Sequence, residues 1–165
     1  VTSIQKEIKQ SKPFASKSQE AAVALLRTAD LIRRNVAAVL EPYDITAQQY
    51  NVLRILRGAG EKGLPTLEIV ERLIEETPGI TRLIDRLEAK ELVARERCLT
   101  DRRQVFCRIT KTGLKVLTQL DKPLNSAEEE ALGRLKKREL EELVDLLDRA
   151  REALNQQLAV SRRTK

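Results

Sequence analysis

Ile80, Leu83, Ile84 and Leu87 recur at i, i+3, i+4 and i+7, and the chain then changes period. A stripe at that spacing makes a helix with one buried face. The two runs that follow, LVARERC and QVFCRIT, read as short strands joined by a polar turn. A helix that delivers the chain straight into a two-stranded ribbon must share one small core with it. A capped helical segment precedes the stripe, so 63–109 reads as a helix-turn-helix followed by a β-ribbon, which is a winged helix.

The flanks are helical. Residues 1–16 are polar and interrupted by Pro13, and they read as a loosely packed arm with a short helical piece. From Lys17 to Leu40, Val23, Leu26, Ile32, Val36 and Val39 recur at roughly helical spacing. Pro42 ends that helix because it disfavours helical geometry in the residue before it. Thr46 is an N-cap candidate for AQQYNVLRILRGA, which Gly58 and Gly60 close. KGLP is a short extended link, and Thr66 opens the next capped segment. Thr77 is the N-cap candidate of the striped helix, with Pro78 at its first helical position. Thr110 caps the helix after the ribbon. A break is expected near Pro123, then a final helix from about Ser126 to Val160. The fold class is mainly α with a small β-ribbon. It divides into a polar arm (1–16), an N-terminal helix (17–44), a winged helix-turn-helix lobe (45–110) and C-terminal helices (111–165).

Aromatic residues make up 2% of the chain and His is absent. Leu, Ile, Val and Ala must therefore fill the core. Without His the commonest general base and zinc ligand is missing, and two cysteines alone do not make a structural zinc site. There is no glycine-rich phosphate loop and no pair of acids in an evident cleft, so no enzyme activity, cofactor or metal is expected. The net charge of +6 suits a polyanionic partner. No apolar run is long enough to span a bilayer, and the Lys-rich start lacks the apolar core of a signal peptide. Cytoplasmic residence without a membrane partner is the expectation.

A recognition helix needs one face anchored in a core and another free to enter a DNA major groove. The stripe anchors the first face, and Thr77, Thr81, Arg82 and Arg86 lie on the second. The ribbon adds Arg95, Arg97, Arg102, Arg103 and Arg108 against only Glu96 and Asp101. A turn exposing Arg102 and Arg103 suits a narrow minor groove, where the negative potential is enhanced. Asp101 is placed to fix that turn by accepting hydrogen bonds. Glu68, Glu71, Glu75 and Glu76 are expected to face away from phosphate.

The run TRLIDRLEAKELVARERCLTDRRQVFCRITKTG closely resembles the MarR family of regulators. It matches in the TRLxDRLExK helix, the LVxR strand, the DxR turn at Asp101 and Arg103, and the closing Ile109, Thr110 and Gly113. The similarity extends from about residue 20 to 160. The resemblance implies a homodimer with one winged lobe per subunit, in which 17–44 is an N-terminal dimerisation helix and 111–165 forms C-terminal dimerisation helices intertwined with it. It also implies repression, less often activation, through a pseudo-palindromic operator on double-stranded DNA, and release by a small-molecule effector or by oxidation. Position by position, Arg82 matches the recognition-helix arginine, Arg103 the wing arginine with Arg102 beside it, and Asp101 the wing-orienting acid. Glu91 departs from the pattern, which carries Gly there; Gly suits a left-handed helix end.

Leu140, Leu143, Leu147, Leu154 and Leu158 form a seam that needs an apolar partner, and a second copy supplies one. Tyr43 and Tyr50 are candidate walls of an effector pocket, or packing residues near the lobe hinge. A hairpin turning near Asp101 and Arg102 brings Cys98 and Cys107 onto opposing strands, close to facing but offset. That leaves open a redox-sensing regulator, or a small core position for Cys107. The other alternative is a winged-helix dimer that docks protein rather than DNA.

Overall fold

The computed structural model describes residues 2–75, 78–97 and 105–163. A short helix α1 (Ile4–Glu7) lies in the polar arm, tied to the next helix where Arg27 Nε donates to Glu7 at 2.8 Å. Helix α2 spans Lys17–Leu40 and leads through a 3-10 turn (Glu41–Tyr43) to α3 (Ala47–Ala59). A second 3-10 turn (Gly60–Lys62) precedes β1 (Leu64–Pro65), α4 (Thr66–Arg72) and α5 (Ile80–Ala89). The ribbon is β2 (Val93–Arg97) and β3 (Val105–Ile109), followed by α6 (Lys111–Leu132) and α7 (Lys137–Arg163). The sheet is antiparallel in the order β1-β3-β2, with Leu64 opposite Cys107 and Arg95 opposite the same cysteine on the other side.

Caps explain most boundaries. Ser16 accepts from the Gln19 N–H and starts α2 at the expected residue. Thr46 and Gln49 form a reciprocal capping box at 3.2 and 3.0 Å, which also satisfies Gln49, a polar side chain that is otherwise buried. Thr110 Oγ1 accepts from the Gly113 N–H at 3.0 Å and starts α6.

Four expected boundaries are corrected. Gly58 lies inside α3, and Gly60 alone stands at its C-cap. Thr66 is the first residue of α4 rather than its cap; Pro65 holds the cap position with extended backbone. Pro78 is not at the first position of α5. Gly79 is the cap residue there, at φ 91°, a left-handed geometry that glycine adopts without steric cost. The expected break near Pro123 does not occur, because α6 runs through it. An interior proline costs about 3 kcal/mol, but Leu120 and Leu124 on either side are buried, each stabilising by about 1.5–3 kcal/mol. The break falls instead after Leu132, and α7 starts where Glu139 Oε2 accepts the Lys136 N–H at 2.7 Å.

The chain forms two compact units, Val1–Ala127 and Glu128–Lys165. The first holds one core built from Leu40, Val52, Leu53, Leu56, Ile69, Ile84, Leu87, Val93, Leu117 and Leu120, with Cys107 among them. The helical stripe expected at Ile80, Leu83, Ile84 and Leu87 is its contribution from α5. In the second unit α7 keeps Leu154 and Leu158 exposed, at 55% and 57%. No described helix is long and apolar enough to cross a membrane.

Candidate nucleic-acid interface

Helix α5 is amphipathic in the sense the interface requires. Leu83, Ile84 and Leu87 are buried, while Thr81, Arg82, Asp85 and Arg86 are exposed. Among the described residues neither Arg82 nor Arg86 takes part in an ion pair. Two guanidinium groups are thus presented on the outer face near the start and middle of the helix, with the Thr81 hydroxyl beside them. Thr77 lies outside the described residues, as do Cys98, Asp101, Arg102 and Arg103.

The turn before α5 is pinned from two helices. Asn51 Oδ1 accepts from the Ile74 N–H at 3.0 Å, and Arg33 Nη1 meets Glu75 at 3.3 Å. Two of the acids in the run from Glu68 to Glu76 have cationic partners: Glu75 with Arg33, and Glu68 with Arg72 at 2.9 Å. Glu71 is exposed, and Glu76 lies outside the described residues.

The ribbon is less uniformly cationic than its sequence. Arg95 Nη1 contacts Asp85 Oδ1 at 2.7 Å, and its Nε donates to Glu88 Oε2 at 2.8 Å. Arg95 is thus turned back onto α5. Its hydrogen bond holds the Glu88 carboxyl below the usual carboxylate range, and the same contact raises the guanidinium pKa. Arg108 is paired with Glu96. Arg97 is exposed and, among the described residues, in no ion pair. The tie through Arg95 was not read from the sequence. Its one advance sign is the i, i+3 spacing of Asp85 and Glu88 ahead of a strand arginine.

Cys107 faces the core from β3, fully buried, with its sulfur 3.8 Å from Thr66 Oγ1. Burial pushes its thiol pKa up, away from the reactive thiolate. The residue opposite it on β2 is Arg95; the expected placing of Cys98 near it, on the opposing strand, falls outside the described residues. Tyr43 and Tyr50 are half-buried against the core, and the Tyr50 ring lies 5.7 Å from the Arg54 guanidinium. A cleft of about 450 Å³ nearby is lined by Glu41, Asp44, Ile45, Thr46, Gln49, Arg86, Ala89 and Lys90, and by neither tyrosine.

Residues 35–120 match the family model described as transcriptional regulator SarA/Rot. The chain is 27% identical over 146 residues to the HTH-type transcriptional regulator FarR of Neisseria gonorrhoeae, covering 87% of this chain and 99% of FarR. A crystal structure of a MarR transcription factor from Planctomyces limnophilus is 40% identical, with a TM-score of 0.65, over 82% of this chain and 98% of that one. A mutant MarR from E. coli, solved in complex with operator DNA, shares the fold at a TM-score of 0.73 and 24% identity, over 90% of this chain and 99% of that one.

Proposed function

Because the chain belongs to the MarR family of winged helix-turn-helix, DNA-binding transcriptional regulators, we propose that it works as a homodimeric repressor, reading a pseudo-palindromic operator with α5 in the major groove. The observation that carries this reading is the outward pair Arg82 and Arg86 on a helix whose opposite face is locked in the core. Guanidinium groups reach base edges and phosphates with several planar donors. Arg102 and Arg103 are assigned to the minor groove and Asp101 to orienting the turn that carries them. The seam of α7, Leu140 to Leu158, is assigned to a second copy, which would place two recognition helices one turn of duplex apart.

The test is selection of bound duplexes from a random pool, followed by anisotropy titration of a selected duplex at several salt concentrations. The expected result is a two-fold symmetric site and an affinity that falls steeply with salt. Arg82→Ala should weaken binding and relax sequence preference, and Arg103→Ala should weaken it and shallow the salt slope by about one. Absence of any salt-dependent duplex affinity would favour the alternative, a winged-helix dimer that docks protein.

A further inference from the structure

Arg95 is the one arginine of the described ribbon that bridges two acids of the recognition helix. Its guanidinium meets Asp85 Oδ1 at 2.7 Å and Glu88 Oε2 at 2.8 Å, and its backbone N–H donates to Glu88 Oε1 at 3.3 Å. Asp85 and Glu88 stand one turn apart on α5, on the side that faces β2. Lys cannot replace this geometry, because a single ammonium lacks the planar fork that reaches two carboxylates at once. The strand that carries Arg95 ends at Arg97. Leu87 of the helix and Val93 of the ribbon also belong to the shared apolar core. Apolar packing tolerates small sliding; a forked ion pair fixes direction.

We infer that Arg95 is a positioning residue for operator recognition: it does not touch DNA but sets α5 at a fixed angle to the wing, so that both reach their grooves in register. The inference rests on the DNA-reading function proposed above. It also gives the two acids a role. Left alone on the recognition helix they would repel phosphate, whereas clamped to Arg95 they are turned sideways and neutralised in part. Exposed ion pairs contribute little to stability, and Arg95, Asp85 and Glu88 all retain solvent contact. The clamp should therefore show in discrimination between DNA sequences more than in folding.

The experiment compares wild type with Arg95→Gln and with the double variant Asp85→Asn/Glu88→Gln. Each is titrated against a duplex selected by the wild-type protein and against a scrambled duplex of the same composition. The double variant gains two units of positive charge, so simple electrostatics predicts tighter binding to every duplex. Positioning by Arg95 predicts instead that the ratio of selected to scrambled affinity falls on the order of tenfold in both variants, while scrambled-duplex affinity rises in the double variant. A loss of folded protein would lower both affinities together and leave the ratio unchanged, which thermal melts of each variant check. Ratios within about twofold of wild type in both variants would overturn the inference alone. A wild-type protein that shows no preference for any duplex would overturn it together with the reading on which it rests.

Discussion

The hydroxyl of Thr110 donates to the backbone carbonyl of Glu91 at 2.6 Å, so the residue that caps α6 also holds the residue just past the end of α5. Glu91 has φ 57°. Its N–H donates to the Glu88 carbonyl at 2.8 Å, and the Leu92 N–H donates to the Leu87 carbonyl at 2.9 Å. This is a Schellman ending with a non-glycine residue in its left-handed position. An L-residue there costs about 1–2 kcal/mol in steric strain, against about 0.5–1 kcal/mol of extra backbone entropy for Gly. Glu91→Gly should therefore stabilise the fold, raising the melting temperature by about 1–4 °C for a chain of this size. A lower melting temperature would show that the Glu91 side chain contributes more than its backbone costs.

Gly113 sits in the first turn of α6, where a Cβ would lie 2.4 Å from the Leu92 carbonyl oxygen and 2.8 Å from Ile109 Cγ1. Helix propensity favours Ala over Gly by about 1 kcal/mol. Backbone cannot give way by the distance required, and overpacking typically costs about 1–3 kcal/mol. Sterics should win, so Gly113→Ala lowers the denaturant midpoint despite the better helix former. An unchanged or higher midpoint would mean that α6 is free to shift away from β2.

Acid should loosen the tie between α5 and the wing. The hydrogen bond from Arg95 lowers the Glu88 pKa in the folded protein, so its contribution to stability is present above the ordinary carboxylate value of about 4.3. That contribution is lost as the pH falls through the lowered folded value. Melting temperatures measured from about pH 6 to about pH 3 should fall less steeply in Glu88→Gln than in wild type. Parallel profiles would show that the contact does not survive in solution.

Sequence periodicity located α2, α3 and both ribbon strands because each is bounded by a local signal: Pro42 after α2, the Thr46 cap of α3, and the return to helical spacing at Thr110. It misplaced the start of α5 because the rule that favours proline at a first helical position competes with a following glycine, and Gly79 took the cap. It broke α6 at Pro123 because local propensity says nothing of how deeply Leu120 and Leu124 are buried. The exposed face of α5 was legible residue by residue, since Thr81, Arg82 and Arg86 follow directly from the stripe. The fate of Arg95 was not: composition counts it with the free arginines, and only the path of β2 beside α5 shows it committed to Asp85 and Glu88.

Cys107 should be inert while the protein is folded. It is fully buried, and burial raises its pKa, so the thiolate fraction at neutral pH is small. In a Cys98→Ser protein, which keeps Cys107 as its only cysteine, a thiol reagent should label nothing until denaturant is added. Hydrogen peroxide should leave its DNA affinity unchanged. Stoichiometric labelling of the folded protein, or peroxide-dependent release of DNA, would restore Cys107 as a redox switch.

Helix α7 carries an apolar seam that its own unit covers only in part: Leu154 and Leu158 are 55% and 57% exposed, while Leu140, Leu143 and Leu147 are half-buried. Burying a leucine stabilises by about 1.5–3 kcal/mol, and a helix this long with so little of it buried draws little support from packing within the chain. If a second copy covers the seam, Leu154→Lys/Leu158→Lys places four like charges in the pair of seams and removes the apolar contact at four positions. Light scattering should then give the mass of one chain where wild type gives two. Affinity for the selected duplex should drop toward that of a single half-site, because the second recognition helix is no longer held at its groove. Circular dichroism of the winged lobe, with its own core in the first unit, should persist. A doubled mass retained by the variant would place the dimer contact elsewhere in the chain.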